Sequence, residues 1–245
     1  MRVIFSRKGF DSSAGGGPSP IVDGRPLSLP IPDTKGLSRT TYAQLGLAEH
    51  AVKASRGRVR AHDLCHHDPM FLADGTCAFG QTGAAQTHLE RQGVGVGDVF
   101  IFFGLFADEH TGELHHRIFG YLKVEEVIAL SDGAPEVMRA LGHPHALGMH
   151  GSNDVIWLGE GRVAMQASHG LRLSVDGGPP SLWHRPDWLR RGGLSYHDRA
   201  DRWIRAKDGH RRLKSVARGQ EFVADIGRRT APREWLERMI ADIRA

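Results

Sequence analysis

Cysteine is nearly missing from this chain: Cys65 and Cys77 are the two in 245 residues. That excludes a disulfide scaffold and the zinc-ribbon spacings, and it suits a reducing compartment in which both remain thiols. No apolar run reaches the length of a bilayer span, so no membrane partner is expected. The first residues lack the basic, apolar and small-residue succession of a signal peptide, which makes the cytoplasm the expected location. Several catalytic signatures are absent as well. There is no Gly-x-Ser-x-Gly elbow, no Walker or dinucleotide fingerprint, and no His-x-Glu with Pro-Cys-x-x-Cys deaminase pattern.

What remains is long enough for a full core, with 40% hydrophobic and 24% charged residues. Without repeats, low-complexity tracts or free linkers, residues 1–245 read as one domain. The net charge of +4 is unevenly placed. Residues 185–245 carry sixteen Lys and Arg against nine Asp and Glu, whereas residues 1–184 carry sixteen against nineteen. In this basic part, about 181–245, Trp183, Trp188 and Trp203 lie among Arg185, Arg190, Arg191, Arg199, Arg202 and Arg205. Two readings stand side by side: a polyanion-binding surface whose tryptophans stack bases, and a solvated Arg-rich face whose tryptophans anchor the core.

Val3-Ile4-Phe5 reads as a strand that delivers a polar loop holding Ser6, Arg7, Lys8, Asp11, Ser12, Ser13 and glycines 15–17. Glycine lets backbone N–H groups approach an anion, and Arg and Lys neutralise it, so phosphate, nucleotide or nucleic-acid backbone is the ligand class this loop suits. A turn-rich structural loop is the competing reading. Pro26 to Pro32 should form an extended edge segment beside the first strand. Helices are expected from Thr40 to about Val52, between Gln81 and Gly93 with Ala84, Ala85 and Leu89 as packing face, over Pro135–Gly142, and over Ala231–Ile243. The clearest signal is an antiparallel pair, Val94–Phe106 and His115–Ile128. Further strands are expected over 152–161, near Leu171–Val175 and after Arg218. The fold class is therefore α+β, a mostly antiparallel sheet or partly open barrel with flanking helices. The Gly97-Asp98 strand pair resembles part of PUA-like barrels, a resemblance that implies handling of RNA or modified DNA bases.

His62-Asp-Leu-Cys-His-His-Asp-Pro69 is the richest chemical stretch. On a helix His62 and His66 would share one face, and His67 with Asp68 adds a mixed nitrogen and oxygen set suited to zinc, iron or manganese. His62, His66 and His67 are thus candidate metal ligands, against the alternative of a polar loop, and Pro69 argues against a helix running through here. A divalent metal is the one cofactor the residues suggest.

Ser6-Arg-Lys-Gly-Phe-Asp-Ser-Ser-Ala-Gly-Gly, Pro18-Ser-Pro-Ile21, Ser28-Leu-Pro-Ile-Pro32, His67-Asp-Pro69, Phe79-Gly-Gln81, Gly97-Asp-Val-Phe-Ile-Phe-Phe-Gly104, Phe119-Gly-Tyr-Leu-Lys-Val124 and Arg218-Gly-Gln-Glu-Phe-Val223 together resemble the nucleotide modification associated domain family, type 3. The resemblance covers essentially the whole chain and implies a place in bacterial or phage systems that modify DNA bases, with DNA or a nucleotide as partner. It supplies no reaction. The polar members of the shared motifs become the candidate site: Asp11, Asp68 and Glu221 for catalysis, and Ser6, Arg7, Lys8, Ser12, Ser13, Gln81 and Gln220 for substrate. Three functions are compatible with them: a nucleotide or base-modifying enzyme with phosphate at the Gly-rich loop, a non-catalytic reader of modified bases, and a metal-dependent hydrolase or oxygenase. The oligomeric state is not legible.

Overall fold

The computed structural model describes residues 1–148, 151–217 and 221–245. Along the chain run β1 (Arg2–Arg7), β2 (Ser19–Val22), β3 (Arg25–Pro26), α1 (Ala48–Ala54), β4 (Met70–Phe71), β5 (Thr76–Gln81), α2 (Gly83–Arg91), β6 (Val99–Asp108), β7 (Leu114–Ala129), α3 (Glu136–Ala140), β8 (Val155–Val163), β9 (Leu182–His184), β10 (Trp203–Arg205), β11 (Arg211–Lys214), β12 (Glu221–Asp225) and α4 (Thr230–Arg244). The main sheet has the order β12-β1-β6-β7-β8-β5-β4 and curls into a half-barrel, with β2 and β3 continuing it beside the end of β6. It is mixed: β1 and β2 run parallel to β6, and the other pairings are antiparallel. β9, β10 and β11 form a second, small sheet.

β6 organises both cores because it is apolar on both faces, as a central strand must be. Val99, Ile101 and Phe103 join the layer covered by α4 and the small sheet, including Trp183, Leu236 and Ile240. Phe100, Phe102 and Phe106 point into the hollow of the curl with Phe79, Phe119 and Trp157. Each such ring stabilises by about 1.5–3 kcal/mol on burial. Register shifts at Phe102/Phe103 and Val124/Glu126 add the local twist that curling requires.

The expected α+β class and the central antiparallel pair are observed, and α2 and α4 form in the stretches where helices are expected. Other details differ. Residues 42–46 form turns and α1 begins only at Ala48, because Thr41 and Gln44 bond each other locally and compete with the helix ladder. Of Pro26–Pro32 only Pro26 lies in a strand, and β3 pairs with β2 rather than β1. Leu171–Val175 is not a strand: Arg172 and Ser174 make single bridges to Arg117 and Trp183, and Arg172 is pulled toward Glu113 by an ion pair of 2.5 Å. The buried side of α2 is Gln86 and Leu89, while Ala84 is exposed. The tryptophans are core anchors. Trp183 is buried and donates Nε1–H to His116 Nδ1 at 3.0 Å, and Trp203 donates to the His197 carbonyl at 2.6 Å. Among the described residues no helix is long and apolar enough to cross a membrane.

Candidate functional site

Curling of the sheet is what assembles the site. Ser6 and Glu221 stand opposite each other in the β1–β12 ladder, while Gln81 ends β5, four strands from β1 and five from β12 in sheet order. Yet Gln81 Nε2 donates to Glu221 Oε1 at 2.7 Å, joined there by Ser6 Oγ and Lys8 Nζ, each at 3.1 Å. The far edges of the half-barrel therefore meet on one buried carboxylate. Its other oxygen, Oε2, is buried with no hydrogen bond among the described residues, a condition that costs free energy until a donor completes it. Lys8 Nζ also lies 4.2 Å from the centroid of the Phe79 ring, so its charge is held between a carboxylate and a π face.

Above this floor opens a cleft of 490 Å³ lined by Arg7, Lys8, Gly9, Asp11, Ser13, Ala14, Ile31, His66, Asp68, Gly80, Gln81, Thr82, His145 and Ala217. Its loop wall is internally braced. Asp11 Oδ1 accepts from Ser13 N, Ser13 Oγ and Ala14 N at 2.7, 2.7 and 2.9 Å, an Asx turn. Arg7 spends its two terminal nitrogens on the carbonyls of Val216 and Ala217, at 2.8 and 2.7 Å, over the rings of Phe103 and Phe222. Burial lowers its pKa, with Asp11 acting in the opposite sense. The glycines of this loop are explained by packing: a Cβ on Gly17 would lie 2.1 Å from the Ala54 carbonyl oxygen, and one on Gly15 2.4 Å from the Phe10 ring.

The opposite wall carries imidazoles around a second buried carboxylate. Asp68 precedes a cis peptide to Pro69, and its side chain is 4% exposed. Its Oδ1 accepts from Gly80 N at 2.9 Å and lies 3.5 Å from His143 Nε2, and its Oδ2 lies 3.9 Å from His145 Nε2. Burial pushes this carboxyl up, but the imidazoles of His143, His145 and His66 outweigh it and hold Asp68 below the ordinary carboxylate range. His145 sits in a 3-10 turn, Pro144–Leu147, seated by Ala146 against Ala78, Met138 and Ile156. Its Nδ1 bonds Asp154 Oδ1, just before β8. The absence of a side chain at Gly80 admits the His145 ring, since a Cβ there would lie 2.0 Å from its Cδ2. His66, Asp68 and His145 each place one possible metal-ligand atom within 4.8 Å of the others.

Of the residues singled out from sequence, Arg7, Lys8, Asp11, Ser13, His66, Asp68 and Gln81 line this cleft, with Ser6 and Glu221 beneath it. Ser12 faces a neighbouring hollow of 370 Å³ with Arg58 and Asp33. Gln220 lies outside the described residues. His62 is exposed and, like His67, outside the three-residue ligand group. The helical spacing does not apply there: Leu64 and Cys65 bridge to Thr41 and Pro32 as extended chain. Burial depresses the His67 pKa, opposed by Asp68 and reinforced by His143. The two thiols are buried, and desolvation pushes Cys65 up to about 12, so neither is a nucleophile at neutral pH. Sequence reading missed His143, His145, Asp154 and the role of Gly80. The available signals were the His143-Pro-His145 spacing and a glycine inside a strand, which marks close approach of another group.

No curated protein and no solved structure matches the chain. The family described as nucleotide modification associated domain 3 matches residues 2–225, which contain every residue of this cleft. The chain belongs to the nucleotide modification associated domain 3 family.

Proposed function

We propose that the protein is an enzyme of nucleotide modification that takes a nucleotide into the cleft between the Ser6–Ala14 segment and the Asp68–His145 wall. The observation that carries this reading is the double use of Glu221: Oε1 fixes Lys8 and Gln81, both of which line the cleft, while Oε2 lacks a hydrogen-bond donor among the described residues. A nucleobase offers amino and ring N–H donors that suit such an acceptor, and Gln81, anchored at both ends, holds the adjoining wall rigid by also accepting from Thr82 N at 3.1 Å. Glu221 and Gln81 then orient the base, Lys8 supplies the positive charge, and Asp68 with its imidazoles is the reacting wall. A reader of modified bases needs shape and hydrogen bonds but has no use for a carboxylate ringed by three imidazoles, which favours the enzyme. The surplus of cations in residues 185–245 favours a nucleotide held in, or destined for, a polynucleotide.

Two measurements test the reading. In calorimetric titrations with mononucleotides and short oligonucleotides, Glu221→Gln should weaken binding by about 10- to 150-fold, the worth of a hydrogen bond to a charged group. In cells, Asp68→Asn should abolish the modified nucleoside detected by mass spectrometry of digested DNA and of the nucleotide pool. Unchanged affinity in the first variant together with an unchanged nucleoside profile in the second refutes it.

A further inference from the structure

We propose that His66, Asp68 and His145 bind one divalent transition-metal ion, and that Asp154 is the outer carboxylate that orients His145 toward it. Two imidazoles and one carboxylate suit zinc, manganese, iron or cobalt rather than calcium or magnesium, and three protein ligands leave coordination positions open for a substrate or water. The donor atoms already lie within 4.8 Å of one another. Ligands at about 2.1 Å from a common ion are at most about 4.2 Å apart, so a small closure completes the site.

The surroundings have the order that a metal site requires. His145 Nδ1 is committed to Asp154, which turns Nε2 toward Asp68 Oδ2, 3.9 Å away; a carboxylate behind a ligating histidine sets its tautomer and raises its basicity. Asp68 is divided in the same way. Its Oδ1 is held by the Gly80 N–H and approached by His143, while Oδ2 faces the cleft histidine. His143 is itself fully buried, with neither ring nitrogen hydrogen-bonded among the described residues. Asp68 and Asp154, with side chains 4% and 7% exposed, flank His145, and a divalent ion balances the two carboxylate charges.

The ion also answers an electrostatic problem in the proposed function, and this last step rests on that reading. Arg7 and Lys8 are the formal cations of the cleft, against Asp11 and Asp68 in its walls and Glu221 beneath. A phosphate entering that balance is repelled, and a divalent ion at Asp68 reverses the sign.

Metal binding is measured on EDTA-treated, full-length protein without any nucleotide, so its outcome is independent of the nucleotide assay above. Titration with Co(II), followed by visible absorption, and with Zn(II) and Mn(II), followed by calorimetry, should show one equivalent bound. Asp68→Asn and His145→Gln should lose the cobalt band. Asp154→Asn should keep the stoichiometry with affinity lower by about 10- to 100-fold. His62→Gln should bind as the parent does. Should Asp68→Asn fail to fold by circular dichroism, His66→Gln, at a less buried position, takes its place. Folded parent protein that takes up no equivalent of any of the three metals, or a His145→Gln variant that binds like the parent, overturns the assignment.

Discussion

Replacing Gly80 by alanine tests the packing on which the reacting wall depends. Gly80 lies in β5 paired with Ile156 of β8, and it has no positive φ that would forbid a side chain. The obstacle is the His145 ring: the new Cβ would lie 2.0 Å from Cδ2, 2.3 Å from Cγ and 2.6 Å from Nε2. Carbon atoms in contact sit about 3.5–4.0 Å apart, so the ring or the strand must yield by more than an ångström. Overpacking of this kind costs about 1–3 kcal/mol. For a chain of this length 1 kcal/mol moves the melting temperature by about 2–4 °C, so Gly80→Ala should lower Tm by roughly 2–12 °C. In a His145→Ala background the obstacle is gone. There the substitution should be neutral or stabilising by about 0.4–1 kcal/mol, because alanine restricts the unfolded chain. The two backgrounds thus differ by about 1–4 kcal/mol, read as a double-mutant cycle from urea denaturation of the four proteins. An equal cost of Gly80→Ala in both backgrounds would show that His145 does not rest on Gly80 and would remove the basis for the assembled His145–Asp68 wall.

Arg7→Lys removes the paired bonds to Val216 and Ala217 while keeping the charge; limited proteolysis should become faster at residues 215–217, and an unchanged cleavage rate would show that Arg7 does not secure this segment. Stability should fall on acidification from pH 6.5 toward 4. Burial, with Arg117 and Arg172 nearby, lowers His115 to about 4, and burial with Arg7 and His115 lowers His116 to about 3, opposed for His116 by Asp11. Both are neutral when folded but protonate in the unfolded chain near 6.5, so their contribution is complete above 6.5 and is lost below it, by at most about 1.4 kcal/mol per pH unit each. Asp68, with its folded pKa below the ordinary 3.8, loses its contribution only at lower pH and cannot mimic this window. His116→Asn should flatten the slope in urea denaturation at pH 7, 5.5 and 4.5, and an unaltered slope refutes the assignment. Trp203→Phe should cost about 0.5–1.5 kcal/mol through loss of the bond to the His197 carbonyl, without changing oligonucleotide affinity; a large loss of affinity in fluorescence anisotropy would restore base stacking.

The opening strand was legible because Val3-Ile4-Phe5 is β-branched and aromatic, and β6 because an apolar run on both faces has nowhere to go but the centre of a sheet. Both are local signals. The metal-ligand expectation for His62, His66 and His67 also used a local rule, helical spacing, in a stretch whose backbone is instead drawn out by bridges to Thr41 and Pro32. Only His66 of the three stands in the ligand group, and its companion His145 comes from 79 residues away on a turn whose seat is made by β5 and β8. No periodicity within a segment encodes that meeting.

One dipeptide does carry the long-range information in condensed form. Gly80 gives its N–H to Asp68 and leaves room for His145, while Gln81 sends its side chain to Glu221. Successive strand residues face opposite sides, so Gly80 and Gln81 serve the two halves of the cleft at once, and the register of β5 against β8, Gly80 with Ile156 and Gln81 with Val155, fixes both together. A slip by one residue would put a side chain where His145 rests and remove the amide from Glu221. Asp154, immediately before Val155, is carried by the same register onto His145 Nδ1. The site is therefore specified less by its polar residues singly than by one strand pairing, which explains why a glycine of no chemical function belongs among the residues that make the chemistry possible.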